Sequence, residues 1–293
     1  MNNFVIILLS ILLEALPFIL IGALLSGLIE VFVNDSLISR LISFKPIYSF
    51  IVGSLMGVCL PMCECGSVLI VRRLIKKGAP PSAAIAYMLS APIINPVTLL
   101  STYTAYAWFK RMVLWRAGLG AAVAVLVGLI VRNGLKDTVL KESKGHELNI
   151  IRLEEHSFSK KLGHALTHAS DDFIAIFSML LLGATAAALF KAFSPPSVFG
   201  FFQSSGWTGI PLFCGLAVLL SVCSESDAFV ASAMNNVFDI SSQLAFLTLG
   251  PMLDLKLLVM YRKVFTGKVF FILCFVPPIA IMTACILLRG VIK

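Results

Sequence analysis

The residues best suited to chemistry lie in "CLPMCECGSV", Cys59 to Val68, where Cys63 and Cys65 flank Glu64. Thiolates are soft ligands that select thiophilic metals and metalloids. A thiol close to a positive helix end becomes a better ligand. Two thiols at i and i+2 cannot share one face of a helix, yet both converge on a bent loop. A second set stands in "CSESDAF", with Cys223, Glu225 and Asp227. Membrane-embedded carboxylates are costly and mark a substrate, ion or proton path. At the membrane interface they cost little, and both placements are open. Asn95 and Asp254 each follow a proline by three residues, in "SAPIINP" and "LGPMLDLK". There a polar side chain binds an ion, caps a half-helix or pairs with a neighbour. Lys256 is at hand to neutralise Asp254.

The candidate substrate-binding residues are therefore Cys63, Cys65, Cys223, Glu225, Asp227, Asn95 and Asp254. Cys63 and Cys65 are also the candidate metal ligands, with Glu64 as a third. Cys274 and Cys285 read as small apolar fillers, and Cys59 and Cys214 fit either role. Glu14, Asp171 and Asp172 are weaker candidates, Glu14 as a proton carrier or an interfacial acid. Glu30 is most simply interfacial. His146, His156, His164 and His168 read as solvated.

These residues sit in a very apolar chain. Of its 293 residues, 59% are apolar and 13% charged, against roughly 25% charged in a soluble domain. Several runs exceed the ~20 apolar residues needed to cross a bilayer. The pattern predicts an all-α polytopic transmembrane bundle of about eight spans. They cover Phe4–Val33, Ile47–Leu60, Ser82–Trp108, Met112–Val131, His168–Phe193, Gly209–Val222, Ser241–Tyr261 and Lys268–Leu288. The first run lacks a basic leader and a cleavage site, so it reads as a retained helix. The net charge of +8 comes from basic residues at helix ends, where membrane topology places them, so nucleic acid is not an expected partner. Placing both termini inside gives 13 Lys/Arg inside and 9 outside, a weak bias for that orientation. Seven cysteines, an odd number mostly within apolar runs, do not suggest a disulfide framework. No Gly-Lys phosphate loop, zinc-finger spacing or nucleophile elbow is present, and no resident cofactor is expected.

A polar stretch, residues 133–167, divides the chain into a first repeat, 1–132, and a second, 168–293. It reads as a solvated, cytoplasmic linker. "LIGALLSGL" echoes "LLGATAAAL", "LPMCECGSV" echoes "LSVCSESDA", and "AYMLSAPIIN" echoes "AFLTLGPMLD". Each half has two expected breaks, the Cys-containing turn and a proline, Pro92 or Pro251. Broken helices at a repeat interface are where secondary transporters bind their substrates.

"EALPFILIGALLSGLIE", "LPMCECGSVLIVRRLIKKGAPPSAAIAYMLSAPIINPVTL" and "CSESDAFVA" together resemble the bacterial predicted permeases that include the ArsP-type organoarsenical efflux permeases. The resemblance covers both halves and fails in the linker. It implies a multi-pass protein of the bacterial cytoplasmic membrane, with Cys63 and Cys65 as candidates for binding trivalent organoarsenicals. It also implies that a second membrane subunit accompanies some members. The leading expectation is a secondary transporter, not an enzyme. It would export a small thiophilic solute, an organoarsenical or soft metal species, driven by the proton gradient, with Glu225 and Asp227 supplying charge or carrying protons. The alternatives are a channel subunit of a two-component complex for a metal, polar or lipid-linked solute, and a membrane thiol oxidoreductase using Cys63 and Cys65.

Overall fold

An uninterrupted apolar run becomes a helix in lipid because only a helix satisfies every backbone group internally. The computed structural model describes residues 2–32, 57, 62–134, 139–141, 158–193, 209–235 and 238–291. Among them the chain is helical apart from turns and one isolated bridge, Leu140 with Phe265. In chain order the helices are α1 (Asn2–Phe32), α2 (Glu64–Lys76), α3 (Pro81–Ile94), α4 (Pro96–Ala105), α5 (Arg111–Gly134) and α6 (Phe158–Phe193). There follow α7 (Gly209–Leu220), α8 (Asp227–Ala233), α9 (Ile240–Leu249), α10 (Leu255–Val264) and α11 (Gly267–Leu288). Four stretches among the described residues are long and apolar enough to cross a membrane: Phe4–Leu28, Pro81–Ala105, Arg111–Gly134 and Gly267–Leu288. The protein is a multi-pass membrane protein. The expected span Ile47–Leu60 lies outside the described residues, Gly57 apart.

The outer helices bury one stripe and show the rest to lipid. Helix α1 buries Ile11, Ala15, Ile19, Ala23 and Ser26, while Ile6, Leu13, Leu20 and Leu24 face outward. Helix α11 buries Val269, Leu273, Pro277, Ile281 and Cys285, at every fourth position, and exposes Phe271, Phe275 and Ile279. Spacings of three and four keep such residues on one face. Helices α1 and α6 pack extensively against each other through small residues. A Cβ at Gly27 would lie 2.3 Å from the Ala165 carbonyl oxygen, so glycine is needed for that approach. Helix α6 begins ten residues before the expected span, at Phe158 rather than His168. At 36 residues it is about 54 Å long, longer than the hydrocarbon core.

Helices α3 and α9 are the central pair. Residues 82–94 of α3 and 241–249 of α9 are buried on every side. The break after α3 falls at Asn95, not at Pro92, which lies inside the helix. Proline at 92 deprives the Met88 carbonyl of its usual helical partner. The Ser67 hydroxyl lies 3.3 Å from that carbonyl and 2.9 Å from the Glu64 carbonyl. Asn95 instead is forced extended, with ψ 130°, by the following Pro96. In the second half the break does include the proline, spanning Gly250 to Asp254 around Pro251. The Tyr261 hydroxyl donates to the freed Met252 carbonyl at 2.9 Å.

Candidate functional site

Both breaks restart as short helices with a polar cap. The Asn95 side chain accepts from Val97 N at 3.0 Å, and Asp254 accepts from Leu257 N at 2.7 Å. Cys63 stands at the N-cap of α2 in extended conformation, φ −72° and ψ 168°. That bend sets Cys63 apart from the helix that carries Cys65, and both thiols are buried. At the end of α7, Ser221 takes a left-handed conformation, φ 47°, which a non-glycine residue adopts only where neighbours hold it. Its hydroxyl accepts from Leu255 N at 3.1 Å. The strained turn thus joins α7 to the first turn of α10.

Lys256 is the hub. Its Nζ lies 3.3 Å from Asp254 Oδ2, 3.4 Å from Glu64 Oε1 and 3.7 Å from Cys223 Sγ. Ser224 Oγ donates to Glu64 Oε2 at 3.3 Å. From the same turn, the Ser224 carbonyl accepts from Arg116 at 3.2 Å. Arg116 then grips Asp227 through two bonds of 2.9 and 2.6 Å and donates to Thr102 Oγ1 at 2.7 Å. Lys256 and Arg116 are 0% exposed, Asp254 likewise, and Glu64 and Asp227 at most 2%. Charges at this depth survive only when paired and hydrogen-bonded.

Glu64, Cys223 and Asp254 therefore meet around Lys256, with Cys63 and Cys65 flanking Glu64 on the same turn of chain. Asp227 stands beside them, locked to Arg116. Glu225 is half-buried in the Cys223 turn. Asn95 is buried and serves its own helix as a cap. Asp172 has a separate partner set, for Arg73 donates to its Oδ2 at 2.7 and 3.0 Å and Ser26 donates at 2.9 Å. Asp171 and His164 are exposed. Cys214 and Cys285 are buried in the apolar core, and Cys274 packs beside it. Cys59, His146 and His156 and the side chains of Glu14 and Glu30 lie outside the described residues. Among the described residues, no group of three or more His, Cys, Asp or Glu is arranged to hold a metal ion. A cavity of about 540 Å³ lies elsewhere, between α5 and the end of α11, lined by Leu114, Trp115, Leu119 and Leu288 with Arg111.

Arg116, Ser224 and Thr102 were not readable as site residues from motif spacing. Arg116 alone left a signal, a cation inside an apolar run, which demands a buried partner.

A family model described as a predicted permease matches residues 1–292. The chain belongs to this predicted permease family. The permease is 37% identical over 286 residues to the UPF0718 protein YcgR of Bacillus subtilis, covering 97% of this chain and 96% of the relative. It is 35% identical over 273 residues to a Streptococcus mutans protein named as a two-component membrane permease complex subunit, covering 92% and 89%. Similarity extends to the UPF0718 protein YraQ of Escherichia coli, 23% identical over 251 residues. No solved structure matches the permease.

Proposed function

We propose that this chain is a secondary transporter of the bacterial cytoplasmic membrane that exports a small thiophilic solute, an organoarsenical or a soft metal species. The observation that carries the reading is the burial of Cys63, Cys65 and Cys223 beside Glu64 and Lys256, where broken helices meet. Soft donors at membrane depth have no structural need of each other, but together they suit a thiophilic cargo. With the thiols at most 6% exposed, this conformation is occluded, and cargo enters when the short helices separate. Asp227, held by Arg116, ties α8 to α5, while Glu225, half-buried in the Cys223 turn, is the candidate proton carrier.

The two-repeat reading has geometric support. Glu64 and Ser224, which the repeat aligns at an offset of 160, touch each other. Equivalent residues meet only when both lie near the axis that relates their halves. Helices α2 and α10 are in contact, and so are α4 and α8, as reciprocal exchange between halves requires. The name of the Streptococcus relative supports a second reading, in which a partner membrane subunit completes the permease.

The test is transport into everted vesicles. Replacing Cys63 and Cys65 together by serine should abolish accumulation of a trivalent organoarsenical and cell resistance to it. Unchanged accumulation and resistance would remove the thiol role.

A further inference from the structure

Lys256 is an odd residue to find where it is. It is in the first turn of α10 and fully buried. Helix N-termini carry partial positive charge and disfavour cations. Burial disfavours its charge as well. The side chain is held against both effects by Glu64 Oε1, Asp254 Oδ2 and Cys223 Sγ, all within 3.7 Å. Gly183 adds to the same placement, since a Cβ there would lie 2.7 Å from Lys256 Cα. Helix α6 therefore packs directly on the lysine backbone.

The charges around it do not balance. Arg116 and Asp227 neutralise each other. Lys256 faces two carboxylates, Glu64 and Asp254, so with both ionised this half of the network is short of one positive charge. Two carboxylates and a thiol around one point form a mixed oxygen and sulfur donor set, which suits a soft divalent cation. A divalent ion in place of the ammonium would neutralise both carboxylates, and Cys223 would join it as a thiolate with release of its proton. With the ammonium in place the donors stand at ammonium distances, in keeping with the absence of a metal-ready group among the described residues.

We propose that the Lys256 ammonium is a tethered stand-in for the cargo, filling a divalent-cation position formed by Glu64, Asp254 and Cys223. The cargo that displaces it is a soft divalent cation. The inference deepens the permease reading and rests on it for the word cargo. The tether matters for release. A competitor attached to the site acts at a high effective concentration, so it returns when the cation leaves and prevents the thiol from retaining it.

The experiment is equilibrium dialysis of Cd²⁺ against purified full-length protein. Lys256→Met removes the ammonium, and Lys256→Gln does so while keeping a donor for Glu64. At least one of them should bind one Cd²⁺ per chain about ten-fold or more tighter than the wild type. Adding Cys223→Ser or Glu64→Gln to that variant should remove the gain. Binding no tighter than wild type in folded, monodisperse variants overturns the proposal. Failure of both variants to fold with Cd²⁺ present throughout also overturns it, because the cation must be able to replace the ammonium. Organoarsenical flux in wild-type vesicles separates the two readings. Flux without the Cd²⁺ gain leaves the permease and removes the cation, whereas the gain without flux does the reverse.

Discussion

Arg116 and Asp227 show what a single buried pair does in this fold. The two side chains come from positions 111 residues apart and are 0% and 1% exposed. Removing one partner leaves an uncompensated charge, so Arg116→Leu should cost about 3–5 kcal/mol, while Arg116→Leu with Asp227→Leu should recover most of the loss. Denaturation in detergent followed by circular dichroism measures both. A double variant no better than the single one would show that the pair is not an isolated unit. The thiols and carboxylates were legible as residue types set in apolar sequence. Lys256 was legible only as a neighbour of Asp254, because its contact with Glu64 joins positions 192 apart. Pairing at that separation is decided by packing, and local spacing carries no trace of it.

At the level of elements, spans were readable wherever an apolar run is long, and half-helices were not. The segment Ser82–Trp108 is two helices, α3 and α4, because Asn95 precedes Pro96. Pro92 looked like the stronger breaker, yet the Ser67 hydroxyl lies within bonding distance of the carbonyl it frees. Helices α2 and α8 are only 13 and 7 residues long and look like turns in a hydropathy reading. The caps make a comparative prediction. Asn95→Ala should cost about 1 kcal/mol, the usual loss of a cap. Asp254→Ala should cost more, because it also removes a partner of Lys256. Thermal melting of the two variants side by side checks the order, and equal losses would mean that the Lys256 contact contributes nothing.

Across the whole molecule, the close approach of α6 to α10 depends on Gly183. A Cβ there meets backbone at 2.7 Å, and backbone cannot move aside as a flexible side-chain end does. Gly183→Val should therefore lower both stability and transport. Gly118→Ala on α5 has nothing within 4 Å of the added atom and should stay within about 0.5 kcal/mol of wild type. Thermal melting and vesicle transport distinguish them, and a harmless Gly183→Val would show that the helices can part there. The membrane class was plain from composition, since a chain with 13% charged residues has too little polar surface to face water. The arrangement of the central pair was not, because α3 and α9 are buried on all sides and leave no amphipathic stripe to read.

The short bridge at Leu140 has a bearing on how the protein could be assembled. Lys141 N donates to the Val264 carbonyl and Thr266 N to the Val139 carbonyl, each at 3.0 Å. The piece of chain leaving α5 is thereby stitched to the turn between α10 and α11. Together with the α1–α6 interface and the buried ion pairs, it joins the first and second halves without the peptide bonds between them. Covalent continuity between residues 141 and 158 is then expected to be dispensable for assembly. Two separately translated polypeptides cut in that interval should find one another in the membrane and copurify as one particle.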